Sequence, residues 1–219
     1  TKTQTEWIDK IGRANAAKFD ERGFAYFIRE IYDSFYPGYG ASWPMAQGSI
    51  AHTFEMASSR GLVFRRTDGK DLTFKDGVVR HFTSAMRTAL SAAENRKALL
   101  ADFAAFRKAA VDEGGTREYV LVPGADPSRA RRLASLLVAQ GVEVFRADET
   151  ATVTAAAAAP ATKAAASTTS GKSYPAGSYI IPLAQPTSRL IRNLLHRDVP
   201  MEPDFLKKHG YQVTRRIAT

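Results

Sequence analysis

The sequence predicts an α/β protein made of two successive units. Three observations lead to this prediction. A short apolar strand pattern follows an amphipathic helix near the start, a long helical pattern runs from Asp76 to Glu113, and strand, helix and strand patterns alternate after Gly115. Apolar residues three and four positions apart are typical of helices, whereas short apolar or alternating runs are typical of strands. With 219 residues, 44% of them hydrophobic, the chain is long enough to bury a core.

The first part of the chain combines a helix, short strands and an aromatic loop. Its expected elements are a helix from Thr5 to Phe19, a strand over Phe24–Ile28, a loop over Ser34–Gly48, a strand over Ser49–Ala57 and an excursion with an Asp-Gly turn over Leu62–Phe74. The loop contains two Pro, three Gly, two Tyr and a Trp. Loops of this kind often carry binding residues.

From Asp76 to Glu113 the apolar residues step by three and four positions. They are Phe82, Met86, Leu90 and Ala93, then Leu99, Phe103, Phe106 and Ala110. This spacing predicts one long amphipathic helix, or two in line, that ends at Gly114-Gly115. We expect the apolar stripe to pack against a core.

The second part begins with a strand–helix–strand pattern. Glu118–Val122 is predicted as a buried strand, Asp126 and Pro127 start a helix that Gly141 stops, and Val142–Phe145 is the next strand. This order predicts a βαβ unit with a right-handed crossover. A low-complexity insertion at 150–172, rich in Ala, Thr and Ser, precedes a strand over Tyr179–Leu183 and a helix opened by Pro186. The predicted domains are 1–115 and 116–206, with an irregular tail at 207–219.

Composition excludes several kinds of chemistry. The chain has no cysteine, so disulfides, thiolate zinc sites and thiol nucleophiles are impossible. The net charge of +9 raises the question of acidic partners, but the basic residues are scattered and do not alternate with aromatics, so nucleic acid is not expected. No apolar run has the roughly 20 residues needed to cross a bilayer. The chain opens without Met or a signal pattern, and we expect it to be part of a longer protein.

His52 and Glu55 have the H-x-x-E spacing that binds zinc in some proteins. In a strand, however, side chains alternate between faces, so His52 falls on the side of Phe54 and Glu55 on the opposite side. One metal ion cannot easily take both side chains, and we expect a packed histidine instead. The remaining histidines, His81, His196 and His209, are far apart in sequence. The sequence therefore predicts no metal ligands in this chain.

Two segments carry a resemblance to a known family. Tyr32-Asp-Ser-Phe-Tyr-Pro-Gly-Tyr-Gly-Ala-Ser-Trp-Pro44 leads into Thr53-Phe-Glu55, and from about Phe19 to Arg107 the chain resembles the C-terminal part of the catalytic domain of carboxypeptidase A-like zinc peptidases, in a bacterial branch. The resemblance implies an α/β/α domain that hydrolyses C-terminal peptide bonds. It also implies that Glu55 is the catalytic general acid/base, and that Tyr36, with Tyr39 as the rival, contacts the peptide substrate.

The family's zinc ligands and its carboxylate-binding arginines precede the segment that this chain resembles. The resemblance therefore implies that zinc belongs to the parent enzyme, and that this chain alone is inactive and lacks the N-terminal part of its catalytic domain. It also suggests a secreted or periplasmic protein. We expect apolar surface to be exposed where the missing part would pack.

Residues from Arg117 to about Phe205 resemble the accessory α/β unit that follows the peptidase domain in this branch. That unit is distantly similar to a class I glutamine-amidotransferase fold, whose thiol chemistry is impossible here without cysteine.

Two alternatives stay open. Glu55 would be an ordinary strand residue if it were paired with an arginine such as Arg60. The whole chain would be a non-catalytic α/β binding module, with acidic polymers as one class of ligand, if no zinc-binding segment accompanies it.

Overall fold

The computed structural model describes residues 1–27, 36–153, 172–196 and 203–209. The chain divides into two compact units, Thr1–Ala105 and Phe106–Thr219. This division falls inside a helix, before the boundary at 115 predicted from the sequence. Helices and small sheets make up the structure, so the mixed α/β class is confirmed at that level.

Helices account for most of the described structure. They are α1 (Lys2–Glu21), α2 (Ser42–Ala46), α3 (Phe74–Glu94), α4 (Arg96–Gly114), α5 (Pro127–Ala139), α6 (Ser188–Leu195) and α7 (Pro203–His209). The strands are β1 (Val63–Arg65), β2 (Asp71–Thr73), β3 (Glu118–Leu121), β4 (Phe145–Arg146), β5 (Ala151–Val153), β6 (Lys172–Tyr174) and β7 (Tyr179–Pro182).

The helix α1 is fastened at its start and along one face. A capping box closes its first turn. The Thr1 hydroxyl accepts a hydrogen bond from the backbone N–H of Gln4, and the side-chain oxygen of Gln4 accepts one from the backbone nitrogen of Thr1. Trp7 and Ile11 are buried, as their spacing predicts. The Trp7 indole also donates to the Asp102 carboxylate at 2.7 Å. The buried indole therefore has a partner for its polar end.

The helices α1 and α3 pack against each other through polar and small side chains. Thr83, Ser84 and Ser91 are the buried residues of α3, and the Asn15 amide of α1 donates to the Thr88 hydroxyl at 3.1 Å. The buried side chains of α3 are thus small and bear hydroxyl groups, and the residues of its apolar stripe are not among them.

The apolar stripe of α3 is exposed, and the prediction that it packs against a core is wrong for these residues. Phe82 is 62% exposed, Met86 46% and Leu90 49%. On α4 the apolar residues of the predicted stripe differ in exposure: Phe106 and Ala110 are buried, whereas Phe103 is 39% exposed. Periodicity showed which residues share a face, but it could not show which face meets a neighbour.

The long helical pattern is broken once. Asn95 caps α3, and α4 begins at the next residue. The pattern therefore forms two successive helices, and α4 ends at Gly114, as predicted. Gly115 follows with φ +56°, the left-handed conformation that glycine adopts after a helix end.

The excursion after residue 62 is a β-hairpin, as the Asp-Gly turn predicts. Strands β1 and β2 pair antiparallel, with Val63 opposite Thr73, and Gly69 in the turn has φ +77°. The other two strands predicted for this unit do not form. Residues 24–27 and 49–57 have no strand pairing, while Ile28 lies outside the described residues. A strand needs a partner for its backbone hydrogen bonds, and among the described residues of this unit only the hairpin supplies one.

The second unit contains a three-stranded sheet in the order β3-β7-β4. β7 is antiparallel to both neighbours, so β3 and β4 run parallel to each other with β7 between them. The expected order of strand, helix and strand is present, but the second strand is β4, Phe145–Arg146, and residues 142–144 of the predicted strand Val142–Phe145 do not pair. The two strands are also separated in the sheet by a later strand, β7. Sequence order alone could not reveal this insertion.

The core of the second unit lies where α5 and α6 meet this sheet. It contains Leu137, Val142, Ile181, Leu183 and Ile191. The Gln185 side chain, 2% exposed, stabilises the chain beside this core. Its amide donates to the carbonyls of Glu143 and Pro182, and its oxygen accepts from the Glu143 amide at 2.8 Å. Each polar atom of this buried amide is thereby satisfied.

The two ends of the low-complexity insertion pair with each other as short strands. β5 pairs antiparallel with β6, and the intervening residues 154–171 lie outside the description. In the predicted irregular tail, residues 207–209 belong to the helix α7, and residues 210–219 are not described.

Gly114 lies close to the backbone of Leu183, the residue after β7, and this contact predicts an effect on stability. A Cβ added at Gly114 would overlap the carbonyl of Leu183, a backbone group that cannot move aside easily. We expect Gly114→Ala to lower the free energy of unfolding by about 3 kcal/mol, as overpacked sites do. The measurement is urea denaturation followed by circular dichroism.

The matched control is Gly124→Ala, because nothing lies within 4 Å of a Cβ at Gly124. This variant should be as stable as the wild type, or slightly more so. Equal stability of both variants would contradict the close contact between Gly114 and the backbone of Leu183.

Candidate active site

Glu55 lies in the irregular segment between α2 and β1, and its side chain is exposed. No hydrogen bond or ion pair among the described residues involves it. The alternative pairing with Arg60 is absent, since the Arg60 guanidinium instead lies 5.7 Å from the centre of the Phe64 ring. The carboxylate of Glu55 is thus accessible to solvent and to an incoming molecule.

His52 is held against α1. Its Nε2 donates to the Ile8 carbonyl at 3.0 Å, since a carbonyl oxygen can only accept. Its ring also stacks on Phe54 with centroids 5.7 Å apart and planes 3° apart. His52 and Phe54 therefore lie on the same side of the segment, which the alternation predicted even though no strand forms. The expectation of a packed histidine is confirmed.

The described residues do not fit a zinc site. Nε2 of His52 is occupied by the Ile8 carbonyl, and no group of three His, Cys, Asp or Glu side chains in the described part of the chain is arranged to hold a metal ion. Zinc prefers three or four such ligands. A metal-dependent site would have to take its ligands from other residues.

The aromatic loop before Glu55 is partly helical. The predicted loop contains α2, and the Trp43 amide donates to the Tyr39 carbonyl at 3.2 Å. Tyr36 and Tyr39 pack edge to face, with ring centroids 5.3 Å apart and an interplanar angle of 84°. Tyr36 is 60% exposed and Tyr39 39%. The two candidate substrate residues therefore form one exposed aromatic pair, while residues 28–35, which include part of the motif, are not described.

Gly38 leaves room for the Tyr36 ring in this aromatic pair. A Cβ at Gly38 would come within 2.6 Å of the Tyr36 ring. Glycine thus allows the ring to fold back over the turn toward Tyr39. Among the described residues, no hydrogen bond joins either tyrosine to Glu55, so the three predicted site residues are not linked directly by hydrogen bonds.

Hydrogen bonds from Gln4 join the aromatic loop and the residue after it to α1. Its side-chain amide donates to the Met45 carbonyl at 2.9 Å and to the Ser49 carbonyl at 3.0 Å. The residue is only 6% exposed, so these bonds are partly shielded from water. Together with the bond from His52 to Ile8, they fix both ends of the segment from Met45 to His52 on α1. Sequence reasoning missed Gln4, whose only signal was its position in the first turn of a helix.

The turn after Glu55 contains a strained residue. Arg60 has φ +49°, and it is the one non-glycine residue with positive φ in the described ranges. Its amide donates to the Ser58 hydroxyl at 3.0 Å, and the Ser59 hydroxyl donates to the Gly61 carbonyl at 2.6 Å. These side chains stabilise a conformation that costs a non-glycine residue about 1 kcal/mol.

A groove of about 380 Å³ lies between α1 and α3. The exposed stripe residues Phe82, Met86 and Leu90 form one wall, and Ala14 and Ala17 of α1 belong to the other. The groove is apolar at its centre and charged at its rim, where Lys18 pairs with Glu21 at 2.7 Å. Apolar surface of this kind is typical of a face that packs against other protein.

Comparisons with known proteins found no match: no family model, no curated protein and no solved structure resembles the chain significantly. Among the described helices, none is both long enough and apolar enough to span a membrane.

The two hydrogen bonds from Gln4 to the aromatic loop can be tested directly. Gln4→Ala leaves the Met45 and Ser49 carbonyls without their donor, and we expect a loss of about 1–2 kcal/mol in stability. Amide hydrogen exchange should accelerate in the loop around α2, while the sheet of the second unit stays protected. Exchange measured by mass spectrometry checks both.

The matched variant is Gln4→Glu, which keeps an oxygen for the capping box of Thr1 but has no amide to donate. It should accelerate exchange in the loop as much as Gln4→Ala does. Wild-type exchange in Gln4→Glu would show that the loop does not depend on this side chain.

Proposed function

We propose that the first unit supplies the general acid/base of a zinc-dependent, carboxypeptidase-like hydrolase that removes C-terminal residues from peptides. The observation that supports this most is the state of Glu55. Its carboxylate is accessible and has no partner among the described residues, and it lies three residues after His52, where the segment that Gln4 and His52 hold against α1 ends. A general base must be free to accept a proton and must stay in position while it does so.

Glu55 would act twice in one turnover. It first takes a proton from the water that attacks the scissile carbonyl, and then delivers that proton to the amine that leaves. Both transfers use the same carboxylate, so no other acid is needed in this chain. By the family resemblance, the zinc of such an enzyme would be held by residues that precede this segment; the described residues do not form a site for it.

Tyr36 and Tyr39 are proposed to contact the peptide substrate. Each presents a phenol hydroxyl, which donates or accepts a hydrogen bond, and an exposed ring that covers apolar parts of a ligand. Tyr36 is the more exposed of the two. We therefore assign it the closer contact with the substrate.

The exposed face of α3 supports the idea that the first unit packs against more protein. Phe74, Val78, Phe82, Met86 and Leu90 follow one another at every fourth position, and all are at least 46% exposed. Polar residues occupy the buried face of the same helix. In the proposed enzyme, the preceding part of the catalytic domain covers this apolar face.

The second candidate function is a binding module for acidic polymers. It is favoured by the exposed arginines Arg129, Arg131 and Arg132 on α5. This function requires no accompanying segment, whereas the hydrolase requires one that supplies zinc ligands.

The role of Glu55 can be tested in the protein extended by the coding sequence that precedes Thr1. We expect Glu55→Gln to lower kcat by at least about 100-fold, because removal of a general acid/base costs 10²–10⁴-fold. Bound zinc should stay at the wild-type amount, since Glu55 is not a ligand. Hydrolysis of a blocked dipeptide and metal analysis give the two values.

The matched control is Glu94→Gln, which removes one carboxylate from the same unit at the end of α3. It should hydrolyse the dipeptide at the wild-type rate. If Glu55→Gln also did so, Glu55 would have no part in the reaction.

The tyrosine assignment can be tested in the same assay. Tyr36→Phe should raise KM more than Tyr39→Phe.

The apolar face of α3 generates a prediction for the 219-residue chain by itself. The double variant Phe82→Ser, Leu90→Gln should self-associate less and bind less of a fluorescent apolar dye, because it removes exposed apolar area. Its stability should be close to that of the wild type, since neither residue is buried. Analytical ultracentrifugation and dye fluorescence provide the measurements.

Leu100→Gln serves as the control, because Leu100 on α4 is 68% exposed but lies outside the stripe. It should leave association unchanged. A large loss of stability in the double variant would instead mean that the stripe is part of a core.

A further inference from the structure

The exposed face of α3 consists of two neighbouring rows of apolar side chains. Within each row the residues follow one another at every fourth position, and neither row contains a lysine, arginine, aspartate or glutamate. Residues three and four positions apart are neighbours on a helix surface, so the rows lie side by side. The large row is Phe74, Val78, Phe82, Met86 and Leu90, and the small row is Ala85, Ala89 and Ala93, all of them exposed.

The large row is symmetric about the midpoint of the helix. Because α3 spans Phe74–Glu94, its midpoint is position 84. Phe82 and Met86 lie two positions before and after this point, and Val78 and Leu90 lie six positions before and after it. A two-fold rotation through the midpoint therefore places Phe82 opposite Met86 of a second copy. It likewise places Val78 opposite Leu90, and such self-complementarity is what a two-fold interface requires.

The charges at the two ends of α3 favour an antiparallel pair. Lys75 is exposed in the first turn, and Glu94, the last residue, keeps 54% of its side chain exposed while it pairs with Arg87 at 2.9 Å. In an antiparallel pair the end with Lys75 comes next to the end with Glu94 of the other copy. The positive end of each helix dipole also meets the negative end of the other. A parallel pair would bring like charges together instead.

We propose that the 219-residue chain forms a closed dimer in which two copies of α3 pack antiparallel about their midpoints. The large side chains of the two copies interleave as ridges in grooves, and the alanine rows allow the helices to approach closely. Because both copies use the same face, association stops at two copies. The dimer is a property of this chain by itself and does not depend on the proposed peptidase function, in which preceding protein covers the same face.

The two rows present enough area for a weak dimer. A phenylalanine side chain offers roughly 150–250 Å², so rows with these exposed fractions present about 600 Å² in each copy. Two copies together would bury about 1,000 Å², the lower limit for a specific interface. Basic residues near the ends of α3, which are Lys70, Arg96 and Lys97, repel each other and oppose association. We therefore expect a dissociation constant of about 10–100 μM.

Sedimentation equilibrium of the wild-type chain tests the stoichiometry. The mean mass should rise with concentration from that of one chain, 23.9 kDa, toward twice that value and should not exceed it. A chain that is still monomeric at about 500 μM, several times the expected dissociation constant, would overturn the proposal. Growth to species larger than two copies would also overturn it, because an open-ended association is not a two-fold pair.

Single cysteines test the orientation, since the chain has no cysteine of its own. Ala85 and Ala93 are a matched pair, because both are exposed alanines of the small row. At 1.5 Å per residue, the antiparallel pair places the two copies of Ala85 about 3 Å apart along the helix axis and those of Ala93 about 27 Å apart. A disulfide requires Cα atoms within about 7 Å, so Ala85→Cys should cross-link at least about tenfold faster than Ala93→Cys under mild oxidation.

Ala98→Cys is the control for random collision, because Ala98 is exposed on α4 and lies outside both rows. It should cross-link no faster than Ala93→Cys. Equal rates for Ala85→Cys and Ala93→Cys would overturn the antiparallel pair, since a parallel pair brings both positions together. If Ala85→Cys were no faster than Ala98→Cys, the α3 interface itself would be refuted. Urea denaturation of each reduced variant checks that it is folded.

Discussion

The hydrogen bonds that join the Met45–His52 segment to α1 are the constraint on which the candidate site depends. Gln4 binds two carbonyls of this segment, and His52 binds a carbonyl of α1 in return. After α2 ends at Ala46, no strand pairing supports the chain up to His52, and these side-chain bonds join it to α1 instead. In the sequence, Tyr36 and Tyr39 precede this segment and Glu55 follows it. Their arrangement for catalysis would therefore rest on α1.

The two units differ in the kind of side chain that they bury. The second unit has its own apolar core, with Ile181 and Ile191 fully buried and Gln185 satisfying the polar backbone beside them. The first unit buries Thr83, Ser84 and Ser91 on α3 and leaves apolar residues of the same helix outside. This inversion is the physical reason to propose that the first unit completes its core with other protein.

Local patterns predicted helices well and strands poorly. The helices could be predicted because their hydrogen bonds are internal and their ends carry local signals, such as Asp126 before α5 and Gly115 after α4. Strands over Phe24–Ile28 and Ser49–Ala57 were expected from composition, but a strand depends on a partner that the pattern cannot show. The position of β7 between β3 and β4 is a long-range property of the same kind. At the candidate site, alternation placed His52 and Phe54 on one side correctly, whereas Gln4 was missed because its partners lie 41 and 45 residues away.

We propose that Glu55 belongs to a hydrolase whose metal ligands lie in another segment. The most direct test is to sequence the coding DNA immediately upstream of Thr1. The proposed function predicts an in-frame H-x-x-E followed, before Thr1, by a further histidine, the set that would bind zinc next to Glu55. A start codon and ribosome-binding sequence directly ahead of Thr1 would contradict it, and the acidic-polymer module would then be the better explanation of the chain.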